Sequence, residues 1–159
     1  MPISSDLGIP SDITLRFSPS ANNLYAAVLM TGVHVVRSSD SNLLQPMTLL
    51  HSTPYGDQPY IEAATVPAGA DAGKNRIYVG RGHATDAPGQ SDLAIDYSVD
   101  AGIANPAFSS AYPQLTTGVA GFEWEIRPAI HPDGTVYALF YDWIGTSGGL
   151  RLANVVVRS

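Results

Sequence analysis

Short apolar segments separated by turn-forming residues constrain this chain more than any other feature. Each is of strand length, contains β-branched or aromatic residues, and is bounded by Gly, Pro, Asn, Asp or Ser, a pattern typical of β-strands. Helical periodicity is weak throughout, and the alanines within residues 23–30 make that segment the strongest helical alternative. The sequence therefore predicts an all-β chain. The predicted strands are residues 13–17, 23–30, 33–37, 60–66, 76–80, 92–98, 125–130, 135–141 and 150–157.

The predicted strands fall into three groups that resemble one another. Each group starts with a strand, a turn and a second strand containing a tyrosine, namely Tyr25, Tyr78 or Tyr137, and a third strand follows. A repeat of about fifty residues with about four strands is typical of propeller blades. We expect one domain, residues 1–159, with blade-like antiparallel repeats at about 11–56, 57–121 and 122–159. Because propellers typically need about four or more blades, the predicted ring is incomplete.

Composition excludes several classes of protein. The formal net charge is -6 and the arginines are scattered, so neither nucleic acid nor an anionic membrane surface is expected as a partner. The chain has no cysteine, which excludes disulfides, Cys-zinc sites and thiol nucleophiles. The first residues lack the basic and apolar regions of a signal peptide, and no segment reaches the roughly 18 apolar residues of a membrane helix.

Two Asp-containing turns follow the third strand of a repeat. They are residues 98–102 (SVDAG) and 38–42 (SSDSN). In such turns Asp accepts hydrogen bonds from backbone N–H groups, and Gly or Asn tolerates positive φ. Together with residues 132–134 (PDG) before a strand, this pattern resembles the sialidase-like propellers, the BNR or Asp-box family, over most of the chain. The family's Thr-Trp ending is missing from both turns, and its Arg-Ile-Pro motif is absent.

The resemblance implies part of a propeller that acts on glycans, with an activity like that of exo-α-sialidases or other glycoside hydrolases, in an extracellular or secreted setting. The alternative is a non-catalytic propeller module that binds glycan or protein on its loop face. No catalytic residue is carried over, and whether the chain is an enzyme stays open. Residues 158–159 align with residues 37–38, which precede the first Asp turn. We therefore expect the last blade's fourth strand to come from further polypeptide, which we favour, from the N-terminal segment, or from a partner such as a second copy.

Candidate site residues lie in loops that would share one face of such a fold. Arg127 with Glu123 and Glu125 is a candidate set for binding and acting on an acidic sugar, and Asp57 is a further catalytic candidate. A guanidinium pairs bidentately with a carboxylate, and a carboxyl group can serve as a general acid. The alternative is that Arg127 pairs with a nearby carboxylate in a structural role.

Aromatic, acidic and histidine side chains complete the ligand-binding candidates. Trp124 and Trp143 offer rings for stacking on a sugar, with Asp142 beside the second, although packing between blades is the alternative. His83 and Asp86 have the spacing of a base and its orienting carboxylate, or of half a metal site, against the alternative of a solvated loop. The sequence contains neither the glycine patterns of nucleotide-binding loops nor the spacing of an EF-hand, and we predict no metal site and no cofactor.

Overall fold

The computed structural model describes residues 10–18, 22–39, 45–82, 93–113, 125–146 and 149–158. In these segments every regular element is a β-strand and none is a helix, which confirms the all-β prediction. The strands form three antiparallel sheets, none of which closes on itself. No helix suited to crossing a membrane occurs in this part of the chain.

The first sheet is a four-stranded meander in sequence order. Its strands are β1 (Asp12–Ser18), β2 (Asn23–Leu29), β3 (Val33–Ser38) and β4 (Thr48–Thr53). β1 and β2 pair from Asp12↔Leu29 to Ser18↔Asn23. The segment with the helical alternative is thus a strand, because pairing on both edges and burial of its side chains outweigh the helix propensity of its alanines.

The second and third sheets repeat this plan with differences. The second contains β5 (Asp57–Thr65), β6 (Asn75–Gly82), β7 (Ala94–Ser98) and β8 (Ser109–Ala111) in sequence order. The third contains β9 (Ile126–Ile130), β10 (Val136–Thr146) and β11 (Gly149–Arg158), with β10 in the centre. β9 pairs with residues 136–140 of β10, whereas β11 pairs with residues 137–146, so this hairpin extends past the start of β9.

Each sheet has two faces. The forward face of the first and second sheets is directed toward the sheet that follows in the chain, and the backward face is on the opposite side. For the third sheet, the backward face is the one that packs on the second sheet, and the forward face is the other one. Successive side chains of a strand alternate between the two faces. On β1, Thr14 and Arg16 point forward and contact β5. On β5, Ile61 points backward into the first sheet, and on β9 Ile126 points backward into the second. The first strand of each later sheet packs on the first two strands of the preceding one.

Two apolar cores hold the sheets together. Tyr25, Val35, Ile61 and Ile77 are fully buried between the first and second sheets. Leu93, Ile126, Ala138 and Phe140 are buried between the second and third. Because burial of each large side chain contributes roughly 1.5–3 kcal/mol, these cores fix which face of each sheet points inward.

Gly80 allows the third sheet to approach the second closely. A Cβ atom at this position would lie 2.0 Å from the carbonyl oxygen of Ile126 and 2.9 Å from Pro128 Cδ. Contacts under about 3 Å are not tolerated by real side chains, so the backbones of β6 and β9 come together because residue 80 lacks one. This contact sets the position of the residues next to Ile126.

The turn at residues 98–102 joins β7 to β8, the third and fourth strands of the second sheet. Ser98 Oγ accepts a hydrogen bond from Asp100 N at 3.4 Å, and Ala101 N donates to Asn75 O at 2.7 Å. Arg37 of the first sheet donates to the carbonyl oxygens of Ala101 and Ile103 at 2.7 and 2.8 Å. The turn therefore also contributes to the contact between sheets. The remainder of the other Asp turn, residues 40–42, lies outside the described residues.

Candidate functional site

Five polar side chains gather along the first strands of the three sheets. This first-strand cluster consists of Arg16 on β1, Tyr60 and Glu62 on β5, Glu125 just before β9 and Arg127 on β9. Arg16, Glu62 and Arg127 occupy forward-pointing positions, because side chains alternate between the two faces along a strand. The residues next to each of them in sequence point backward and are apolar. The strands run side by side, so residues far apart in sequence meet here.

Arg16 joins the first sheet to the second through side-chain hydrogen bonds. Its Nε donates to Glu62 Oε1 at 3.0 Å, and its Nη2 donates to the Tyr60 hydroxyl at 2.5 Å. Its guanidinium carbon lies 5.0 Å from the centre of the Tyr60 ring. The Arg16 and Glu62 side chains are 36% and 23% exposed, so this pair remains accessible to solvent.

Arg127 contributes a second guanidinium group to the same tyrosine. Its carbon lies 5.5 Å from the Tyr60 ring centre. Its Nε and Nη2 both donate to Glu125 Oε2, at 2.9 and 2.6 Å, and the hydrogen bond and charge of Glu125 raise the pKa of Arg127. The Arg127 side chain is 55% exposed. An exposed ion pair contributes about 0–1 kcal/mol, so an incoming anion can replace Glu125 at small cost.

The structure brings Arg127 and Glu125 together, and it places Asp57 apart from them. Asp57 is the first residue of β5, and its Oδ1 accepts a hydrogen bond from Gln58 N at 2.8 Å. Among the described residues no hydrogen bond or ion pair connects Asp57 with the first-strand cluster. Its carboxylate caps a local turn, since Gln58 has a positive φ of 45°.

The other predicted ligand-binding residues lie wholly or partly outside what the structure describes. His83, Asp86, Glu123 and Trp124 are outside the described residues. Asp142 and Trp143 belong to β10, in the section that pairs with β11 beyond the start of β9, and their side chains are not among those described. Their roles as ligand-binding residues stay predictions.

A second polar cluster is buried between the first and second sheets. This buried ion-pair cluster consists of Arg81, Asp96, Ser110 and His51. Arg81 Nε and Nη2 donate to the two oxygens of Asp96 at 2.7 and 3.3 Å, and Ser110 Oγ donates to Asp96 Oδ1 at 2.6 Å. The Arg81 and Asp96 side chains are 2% and 1% exposed. Because both charges are enclosed and satisfied by each other, this arginine is not available to an exogenous anion.

His51 is the partly exposed member of the buried ion-pair cluster. Its Nε2 lies 3.8 Å from Asp96 Oδ2, and its ring stacks on Phe108 with centres 4.4 Å apart. Burial lowers the pKa of His51, and the Asp96 carboxylate opposes this effect while Arg81 adds to it. Desolvation disfavours the charged imidazolium, so the histidine serves as a packed neutral group.

Sequence reasoning missed both clusters as units. The signal for the buried ion-pair cluster was a charged residue inside each of two apolar strands, Arg81 in β6 and Asp96 in β7. Charged residues are almost never fully buried unless paired, so two such residues in neighbouring strands predict a partnership. No such signal in the sequence predicts the contact between Arg16 and Tyr60, which are 44 residues apart.

A small apolar cavity lies between the second and third sheets. Its volume is about 150 Å³, and its lining includes Ile95, Pro113, Val136, Ala138 and Arg158. It contains none of the residues of the first-strand cluster. Among the described residues no three His, Asp or Glu side chains are grouped as metal ligands.

Comparison with known proteins gives this chain no family. It matches no protein-family model, no curated protein and no solved structure. What the chain binds is therefore inferred from its own side chains, and the first-strand cluster is an accessible group in which two guanidinium groups, two carboxylates and a tyrosine meet.

Proposed function

We propose that this chain is a sialidase-like propeller unit that binds a carboxylate-bearing glycan at the first-strand cluster. The observation that carries the proposal is the pair of guanidinium groups, Arg16 and Arg127, within 5.5 Å of one tyrosine ring. Two arginines bind a planar carboxylate with direction as well as charge. The aromatic ring of Tyr60 adds an apolar surface of the kind against which sugars pack.

The difference in burial between the two arginine pairs supports this assignment. Arg81 is enclosed with Asp96, and separating that pair would leave a buried charge at a cost of about 3–5 kcal/mol. Arg127 has a partner in Glu125 that water already reaches. A ligand carboxylate can therefore replace Glu125 on Arg127, whereas it cannot replace Asp96 on Arg81.

The propeller part of the proposal rests on the arrangement of the sheets. The chain forms three antiparallel sheets whose first strands are neighbours, β1 next to β5 and β5 next to β9. In a propeller the blades radiate from such a set of first strands. A ligand at the first-strand cluster would then lie close to the axis.

Hydrolysis of the bound glycan is the second candidate function. Tyr60 and Glu62 lie two residues apart on one strand, and Arg16 donates a hydrogen bond to each of them. Sialidases use a tyrosine nucleophile, in contrast to most glycoside hydrolases. Tyr60 therefore has guanidinium groups beside it and a carboxylate that shares one of them.

The binding experiment compares a sialylated oligosaccharide with the same oligosaccharide lacking sialic acid. Calorimetric titration should detect binding of the acidic sugar, and Arg127→Ala should weaken it by about 10- to 100-fold, since a charged hydrogen bond contributes about 1.5–3 kcal/mol. Lys74→Ala is the matched control, because it removes one positive charge whose partner is Asp71 in an exposed turn. Equal affinity for the acidic and neutral sugars would contradict the proposal.

Turnover of a fluorogenic sialoside separates hydrolysis from binding. If the chain is a hydrolase, Tyr60→Phe should abolish turnover while the acidic oligosaccharide still binds, because the ring and both arginines are retained. Binding without turnover by the unsubstituted protein would assign the non-catalytic function.

A further inference from the structure

The backward face of the first sheet and the forward face of the third sheet expose apolar side chains. The equivalent faces of the other sheets are packed against a neighbouring sheet inside the chain. On β1 the backward-pointing Ile13, Leu15 and Phe17 are 55%, 46% and 63% exposed. Contiguous exposed apolar side chains on a sheet are typical of interaction surfaces. We call these three residues the backward stripe.

The second exposed surface lies on the third sheet. Tyr137, Leu139 and Tyr141 of β10 are 36%, 43% and 42% exposed, and Val156 of β11 is 65% exposed. Leu139 pairs across the sheet with both Arg127 and Val156, so all these side chains share the forward face. We call the four apolar residues the forward patch.

Both contacts between sheets inside the chain follow a single rule. The first strand of one sheet packs with its backward side on the forward side of the first two strands of the preceding sheet, as β5 does on β1 and β2 and as β9 does on β5 and β6. Applied once more, the rule brings the backward stripe of β1 onto the forward face of β9 and β10, where the forward patch lies. Within one chain these two surfaces belong to the first and third sheets, at opposite ends of the stack.

We propose that a second copy of this chain packs its backward stripe on the forward patch, head to tail. The backward side of β2 is already buried at Ala26 and Val28, so the free surface is confined mainly to the first strand, which is the strand whose backbone lies nearest the preceding sheet inside the chain. The described residues of two copies form six sheets, a number within the range of about four to eight blades in closed propellers. Two equivalent contacts related by a two-fold axis then complete a ring.

The test is the oligomeric state of matched variants over about 1–100 µM, measured by sedimentation velocity. The unsubstituted chain should form a dimer. Leu15→Asn in the backward stripe and Leu139→Asn in the forward patch should each weaken it by about 100-fold or more, because each substitution damages both contacts of the ring. Val99→Asn is the control, since Val99 is 54% exposed but lies in the β7–β8 connection. Far-UV circular dichroism identifies any variant that fails to fold.

Mixing the two variants distinguishes a head-to-tail dimer from other dimers. An equal mixture of Leu15→Asn and Leu139→Asn chains contains one intact pair of surfaces, so it should associate more strongly than either variant alone. If either variant alone dimerises like the unsubstituted chain, the contact is of one surface with itself and the proposal is wrong. A monomeric unsubstituted chain, or a dimer unaffected by both substitutions, also overturns it.

Discussion

Replacing Asp96 by Asn tests the ion pair that Arg81 and Asp96 form in the interior. The change preserves the size of the side chain but removes the negative charge that faces Arg81 Nε at 2.7 Å and Nη2 at 3.3 Å. Both side chains are at most 2% exposed, so water cannot solvate the remaining guanidinium. Removing one partner of such a pair costs about 3–5 kcal/mol. With roughly 2–4 °C per kcal/mol for a chain of this size, the Tm should fall by about 6–20 °C.

Guanidinium chloride unfolding at neutral pH measures this loss. The midpoint should shift to lower denaturant concentration with an unchanged slope if the native state keeps its compactness. A second variant, Arg81→Met with Asp96→Leu, removes both charges and should recover stability to within about 1 kcal/mol of the unsubstituted chain or exceed it. The control Asp71→Asn breaks the ion pair with Lys74, which is exposed to solvent, and should leave the midpoint unchanged.

The double variant supplies the result that would refute the reasoning. If the charges interact across a dry interface, the cost of the double substitution is far smaller than the sum of the costs of Arg81→Met and Asp96→Leu made singly. Strict additivity, or a cost below about 1 kcal/mol for Asp96→Asn, would mean that solvent reaches the pair and that the first two sheets are not packed as described.

Two further predictions concern the contacts between sheets. Because the pKa of His51 is lowered in the fold, the unfolded chain binds more protons below about pH 6.5, and stability should fall from there toward the folded pKa. His51→Phe, which keeps a ring against Phe108, should reduce that slope in unfolding curves at several pH values; an unchanged slope would contradict this. Gly80→Ala forces a Cβ against Ile126 O and should cost about 1–3 kcal/mol in thermal unfolding, whereas an unchanged Tm would refute the close approach.

Strands with an apolar pattern of their own could be predicted from the sequence. Every predicted segment overlaps a strand of the structure, because alternation and turn residues determine local conformation even before tertiary contacts form. β8 was missed, since Ser109–Ala111 has no apolar pattern, is exposed and exists through its pairing with β7. β4 was missed because His51 and Ser52 interrupt the apolar residues of Thr48–Thr53.

Contacts between sheets could not be predicted, because they depend on how strands about 45 residues apart align. Arg16 and Glu62 are 46 residues apart and meet through the packing of β1 beside β5. A shift of one residue in either strand would turn one side chain to the opposite face. The pairing of Arg127 with Glu125 is different, since residues two apart on an extended segment share a face, and it was open to sequence reasoning.

The proposed ligand site and the proposed dimer contact share the forward face of the third sheet, yet they are compatible. Arg16 occupies the corresponding place on the first sheet. β5 packs beside it there, and the Arg16 side chain is nevertheless 36% exposed. A second copy packed in the same way would therefore leave Arg127 accessible to a ligand. Leu139 lies directly across from Arg127, and an uncharged replacement there leaves the guanidinium without a new ionic partner. Leu139→Asn thus tests assembly and Arg127→Ala tests glycan binding, so that either proposal can fail while the other holds.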